Sequence, residues 1–279
     1  MQTERLPTLP AGDIAEAQPN PPLLASLRTQ FRVIGALLLR EVITRFGRRN
    51  LGVLWLVIEP ALFTLGVAAL WSAAGLGHGA NLPIVAFAIT GYSSVLLWRN
   101  AVSHCTHALK DNFNLLYHRN VLAIDVFAAR ILLEVAGATG SFLILATFFT
   151  AIGWISPPVD PLMVAGGWLM LTWFGAALAL LVGAACSFSE LVKRLWTPTA
   201  YLLFPLSGAA YMVHWLPPGN RHLALLLPMV HGVEMLREGY FGTVVPTYYD
   251  VSYMAMFNLS LTFFGLVLLR LAARHVEVE

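Results

Sequence analysis

The chain has 279 residues, of which 58% are hydrophobic and only 11% are charged, less than half the roughly 25% of a soluble domain. That excludes an ordinary soluble globule and points to an integral membrane protein. The net charge of +2 says little until the charges are placed along the chain, and the two cysteines, Cys105 and Cys186, imply no disulfide framework.

Residues 1–22 are polar and proline-rich and read as a flexible tail. They hold no apolar core followed by a cleavage site, so the first span is expected to serve as the insertion signal. From Leu24 the pattern changes. Leu24, Leu27, Phe31, Ile34 and Leu38 recur at spacings of three and four, with Arg28 and Arg32 off the stripe. This predicts an amphipathic helix within a 23–49 segment, lying in the plane of the membrane interface. Arg40, Arg45, Arg48 and Arg49 then mark the charged face of a bilayer, and Leu51 to Trp55 enters the hydrocarbon.

The first span is expected at 51–74. It contains Glu59-Pro60, a kink and a carboxylate that must face protein or water. The second is expected at 82–104. In the next connection Asp111, Asn112 and Asn114 suggest the cap of a short helix at 111–118 carrying Phe113, Leu115, Leu116 and Tyr117. Further spans follow at 127–153, with Glu134 inside, at 161–187, at 196–213 and at 250–269. Gly175, Ala179 and Gly183 form a small-residue stripe that permits close helix contact. Residues 214–249 hold an apolar run too short to cross, which fits a re-entrant or interfacial pair of half-helices. The expected fold is therefore an all-α membrane protein with six transmembrane helices in a 50–274 domain.

Placing both termini in the cytoplasm puts 15 of the 17 Lys and Arg on that side and leaves only Arg221 and Arg237 outside. A bias of this size sets the orientation.

Several chemistries find no support. Neither Lys110 nor Lys193 ends a glycine-rich phosphate loop, so the chain carries no nucleotide site of its own. His104 and His107 flank Cys105 without further ligands nearby, and they read as caps of the second span rather than as a metal site. Glu59 and Glu134 allow a proton relay, with a structural hydrogen bond or a cavity wall as the plainer reading. A membrane enzyme would need clustered carboxylates or a His-Asp pair at one face, and no such pattern stands out.

Three stretches resemble the transmembrane subunit of ABC-type capsular polysaccharide exporters. The first is Arg40-Glu41, Phe46-Gly47-Arg48, Leu51-Gly52, Leu54-Trp55 and Glu59-Pro60, departing from the family pattern at Phe46, where tyrosine is expected. The second runs from Asn114 to Tyr117, on to Asp125, and from Arg130 to Glu134. The third is Leu227 to Gly232, with Glu234 and Arg237. The resemblance implies a six-span half-transporter that works as a dimer. Each copy would dock a separate cytoplasmic ATPase subunit, which binds ATP and Mg, while this chain binds no cofactor.

The same resemblance makes 111–118 a coupling helix seated in the ATPase, with Asp111, Asn112, Phe113, Asn114, Leu115, Leu116 and Tyr117 as its contacts. A lipid-linked polysaccharide would enter a channel between protomers. Arg40, Arg45, Arg48 and Arg49, with Trp55 and Glu59, lie where its headgroup would arrive, or else anchor lipid headgroups. Trp71, Tyr92, Trp98, Trp196, Tyr201 and Tyr211 are candidates for stacking on sugars, or for the aromatic belt. His231, Glu234 and Arg237 share one helix face and would form the periplasmic rim, with Glu234 and Arg237 as an ion pair. A periplasmic adaptor would complete the assembly, and no nucleic acid is implied. Export of O-antigen or teichoic acid is the alternative cargo, and a membrane-embedded glycan- or lipid-modifying enzyme is the more distant one.

Overall fold

The computed structural model describes residues 23–46, 51–75, 82–116, 121–244 and 246–276. The tail at 1–22, Arg48, Arg49 and Tyr117 lie outside the described residues. Among the described residues the chain is helical throughout: α1 (Leu23–Phe46), α2 (Leu51–Ala73), α3 (Ile84–Cys105), α4 (Ala108–Asp111), α5 (Phe113–Leu116), α6 (Ala123–Ala151), α7 (Pro161–Phe188), α8 (Glu190–Leu206), α9 (Pro218–Ala224), α10 (Pro228–Phe241) and α11 (Val251–Val276). Three of these, α6, α7 and α11, are long and apolar enough to cross a membrane by length and composition. The helices α2 and α3 have 23 and 22 residues, whereas α8 has 17, with Pro198 and Pro205 inside it.

Helix starts follow from local chemistry. Asp160 Oδ1 accepts from the backbone N–H of Leu162 and Met163, both at 3.0 Å, with Pro161 in the first turn of α7. Ser189 Oγ accepts from Leu191 N at 3.2 Å to open α8. Asp250 Oδ1 accepts from Tyr253 N at 3.0 Å to open α11. Each satisfies a donor that the first turn leaves orphaned.

The core is built around α3, which is buried almost continuously from Ala86 to Trp98 and packs against α2, α6, α7, α8 and α10. The small-residue stripe of α7 makes this possible. A Cβ on Gly175 would lie 2.9 Å from Trp98 Cα, and one on Gly183 would lie 2.8 Å from the Cys105 carbonyl oxygen. Polar side chains also tie helices together. Trp168 Nε1 donates to Thr139 Oγ1 at 2.9 Å, and Trp173 Nε1 donates to Thr262 Oγ1 at 3.0 Å.

Three elements differ from the sequence reading. The expected helix at 111–118 is two single turns, α4 and α5, separated at Asn112. The Asp111 and Asn112 side chains do not cap it, because they are drawn to Arg130 and Arg40 as described below. The N-terminal helix extends to Phe46, so Arg40 and Arg45 belong to its last turns and not to the entrance of the first span. The fifth span, expected at 196–213 after a loop, is α8 at Glu190–Leu206: Ser189 caps its start six residues early, and the chain leaves the helix after Pro205, turning at Gly208 with φ near +80°.

Candidate functional site

One end of the bundle carries a charge network that joins α1, α3, α4 and α6. On α1, Glu41 and Arg45 are four residues apart, and on α6, Arg130 and Glu134 are also four apart. Each pair therefore presents one acid and one base on one helix face. They meet crosswise. Arg130 Nε lies 3.3 Å from Glu41 Oε1, and the Arg45 guanidinium bonds the Glu134 carboxylate. Arg130 and Glu134 are both about nine-tenths buried, so each needs the other helix's charge to offset its lost hydration.

Arg130 then binds the connection after α3. Its Nη1 donates to the His104 carbonyl at 2.6 Å, and its Nη2 to Asp111 Oδ2 at 2.9 Å. Asn112 is held from two sides. Its Oδ1 accepts from Arg40 Nη1 at 2.6 Å, while its Nδ2 donates to the Ala108 carbonyl at 2.9 Å. His104 Nδ1 is 3.0 Å from both Asn100 O and Glu134 Oε1. Both neighbours are acceptors, so Nδ1 carries the proton. Lys110 reaches across to Glu190 at the start of α8. The hydrogen bond from Lys110, followed by the Lys110 and Lys193 charges, lowers the Glu190 carboxyl from its ordinary value.

A cavity of about 370 Å³ opens inside this network, bounded by Arg40, Thr44, Ser103, His107 and Asp111. Among the described residues no cluster of His, Cys, Asp and Glu suits a metal ion. The arrangement holds no nucleophile activated by a base. What it can do is transmit displacement, since Lys110, Asp111 and Asn112 bond α4 and its joint to α8, α6 and α1.

Of the residues singled out in the sequence, Arg40, Arg45, Asp111 and Asn112 are brought together here. Arg40 and Arg45 are engaged with the protein's own side chains rather than presented free to a headgroup. Phe113, Leu115 and Leu116 are half-buried, Asn114 is exposed, and Leu116 packs against the core. Sequence reasoning missed Glu41, Arg130 and His104 as members, and found no basic partner for Glu134, which has Arg45 and His104. The signal was present in the two four-residue acid–base spacings.

The aromatic candidates divide sharply. Trp98 is fully enclosed, edge-on to Phe174 at 6.2 Å, which removes it from any channel wall. Trp71, Tyr92 and Trp196 are buried as well. Trp196 Nε1 donates to Ser103 Oγ at 3.1 Å, and Tyr92 stands edge-on to Phe204 at 5.6 Å. Tyr211 is half-buried, and Tyr201 is 66% exposed. On α2, Trp55 and Glu59 both face outward.

At the opposite end, His231, Glu234 and Arg237 share one face of α10, but all three are buried, and the expected Glu234–Arg237 ion pair does not form. Each binds backbone instead. Arg237 donates from Nη1 to Gly208 O at 2.7 Å and to Tyr211 O at 2.6 Å, and from Nη2 to Ala209 O at 2.5 Å. Its guanidinium also lies 3.8 Å from the Phe87 ring centroid. Glu234 accepts from Val213 N at 3.1 Å and from Tyr248 N at 3.0 Å. His231 Nδ1 accepts from Asp250 N at 2.8 Å, so the proton sits on Nε2, 2.8 Å from the Leu225 carbonyl. Gly208 has φ near +80°, a turn that the guanidinium clamps.

Comparison with known proteins places the whole arrangement. The family model described as ABC-2 type transporter matches residues 32–241. The capsule polysaccharide export inner-membrane protein CtrC of Neisseria meningitidis serogroup B is 43% identical over 254 residues, covering 91% of this chain and 96% of the relative. The capsule polysaccharide export inner-membrane protein BexB of Haemophilus influenzae is 39% identical, again over 91% of this chain and 96% of the relative. The polysialic acid transport protein KpsM of Escherichia coli is 26% identical over 85% of this chain and 92% of the relative.

Proposed function

Since the chain belongs to the ABC-2 type transporter family, we propose that it is the membrane-spanning subunit of an ATP-driven exporter of lipid-linked capsular polysaccharide. It crosses the inner membrane six times with both termini in the cytoplasm. Two copies form a channel between them. Each docks a separate ATPase subunit, which carries ATP and Mg, and a periplasmic adaptor receives the polymer. The α1 end of the bundle faces the cytoplasm, and the α9–α10 pair is the re-entrant segment on the periplasmic side.

The observation that carries this reading is the locking of α4 and the Asn112 joint to three longer helices through Asp111–Arg130, Asn112–Arg40 and Lys110–Glu190. The α4 turn seats Ala108 and Leu109 in the core, and its polar side is fastened to α1, α6 and α8. That suits a joint that receives a stroke from a partner and passes it to the spans. Cargo as large as a glycan polymer suits a seam between protomers better than an enclosed pocket.

The test is co-purification of the tagged chain in mild detergent, followed by an ATPase assay with a Phe113→Ala/Tyr117→Ala variant alongside. Copurifying ATPase activity that the variant loses is the expected result. Activity retained in the variant moves the docking site away from 111–118, and absence of ATPase from folded protein overturns the reading.

A further inference from the structure

Two side chains of opposite charge stand on outward faces of the protomer with no ion-pair partner among the described residues. Glu59 on α2 is exposed and makes no hydrogen bond or ion pair among the described residues. It sits in a shallow groove of about 470 Å³ whose other walls are apolar, chiefly Trp55, Leu62, Phe63 and Leu70. Arg99 on α3 is half-buried. Among the described residues its one contact is the Tyr201 ring of α8, at 5.7 Å from the centroid. Arg40, Arg45, Arg130 and Arg237, by contrast, are all engaged inside the protomer.

The two charges lie at one depth. Helices α2 and α3 run antiparallel, with Thr64 against Ser93 and Trp71 against Phe87. Six residues beyond Ser93 is Arg99, and six residues back from Thr64 is Ile58, the neighbour of Glu59. Yet they cannot meet within one chain. Ala68 is buried where α2 packs on α3. Glu59 precedes Ala68 by nine residues, about two and a half turns, and so points the opposite way. Arg99 is held on the other flank of α3, where Tyr92–Phe204 and Ser103–Trp196 zip it to α8. An isolated charge at such a position is costly unless a counter-charge or water reaches it.

We propose that Glu59 of one copy pairs with Arg99 of a second copy, so that α2 of each protomer packs against the α3–α8 edge of the other. The proposal rests on the dimer reading above and names its seam. Two-fold symmetry makes the contact twice. The apolar groove around Glu59 then receives the exposed Tyr201, Leu202 and Leu206 of the partner copy. An ion pair set among carbon atoms is strengthened by the low polarity around it.

The test co-expresses two differently tagged full-length copies in one membrane, one Glu59→Cys and the other Arg99→Cys. Both carry Cys105→Ser and Cys186→Ser, and the membranes are oxidised with copper–phenanthroline. A mixed-tag disulfide dimer is expected, stronger than in membranes holding either cysteine variant alone. In parallel, Glu59→Arg and Arg99→Glu are expected each to lower the dimer fraction at least severalfold by native mass spectrometry from lipid nanodiscs, and the double swap to restore it. A dimer by mass with neither mixed disulfide nor rescue overturns this seam and leaves the dimer reading standing. A monomer by mass overturns both. Loss of bound anionic lipid on Arg99→Glu, with the dimer fraction unchanged, assigns Arg99 to lipid phosphate and also overturns the pair.

Discussion

Arg237 has no water to fall back on: its guanidinium is fully buried and depends on the carbonyls of Gly208, Ala209 and Tyr211. Replacing it with Met leaves three carbonyls without that donor in a cavity shaped for it. We expect a loss of about 3–5 kcal/mol, seen as a large drop in unfolding temperature in detergent. Arg237→Lys rescues only part of this, because an ammonium cannot span carbonyls that a planar fork reaches together. At the other end, Arg45→Glu and Glu134→Arg each break the crossed pair between α1 and α6. The double swap is expected to recover about 0.5–3 kcal/mol of coupling in a double-mutant cycle on thermal stability. Glu190 behaves differently because it is exposed. Its lowered carboxyl keeps the Lys110 contact through mildly acidic pH, and the contact is lost only as pH falls through that lowered value. The side-chain carboxyl resonance of Glu190 is expected to titrate in that lowered range by NMR, and at higher pH in a Lys110→Ala variant. The sequence placed His231, Glu234 and Arg237 on one face correctly. It could not show that each would choose backbone over its neighbour, because those carbonyls and amides lie 6 to 29 residues away in the chain.

Helices are where reading from the sequence worked best and where its failures are most instructive. Asp160-Pro161 marks the start of α7 by local hydrogen bonding, and the span was expected to begin there; Ser189 marks α8 in the same way, but the charges of Glu190, Lys193 and Arg194 made its first turns read as a loop. The joint between α4 and α5 was hidden. Asp111 and Asn112 have the chemistry of helix caps, but Arg130 and Arg40 take their side-chain oxygens from outside. Asn112→Ala therefore loosens the joint without touching Phe113 or Leu115. ATPase binding is expected to persist while export falls several-fold, measured as cell-surface polysaccharide against copurified ATPase. Close contact is the other helix-scale constraint. Gly175→Val drives a Cβ to 2.9 Å from Trp98 Cα, whereas Gly35→Val meets nothing within 4 Å. The first is expected to lower stability by about 1–3 kcal/mol or more, and the second is expected to be near neutral by thermal melt. The enclosure of Trp98 and the exposure of Tyr201 were not legible. For Trp98 the reason is that α3 is apolar on most sides and shows little periodicity to tell the protein face from the lipid face, while α8 is amphipathic and Tyr201 turns on how it packs against α3.

For the whole molecule, the crowding of fixed charges at the α1 end and their scarcity among the long helices give it two unlike poles. On the proposed orientation, a Ser156→Cys variant, in the turn between α6 and α7, is labelled by a membrane-impermeant maleimide from outside intact cells. A Lys110→Cys variant is labelled only after the membrane is opened; the opposite pattern would invert the topology. The uneven placement of Lys and Arg made the two unlike poles readable from sequence, whereas which sides of α2 and α3 face out was not. The buried clamp on α10 also bears on how the chain is made. Everything that receives Arg237, from Phe87 to Tyr211, is synthesised before it. The partners that fix Glu234 and His231, at Tyr248 and Asp250, are synthesised after it. The groups that receive the arginine therefore all precede it in the chain. The approach to α11 then adds the amides of Tyr248 and Asp250 to the same helix, so α10 is clasped by chain from both sides of it in sequence.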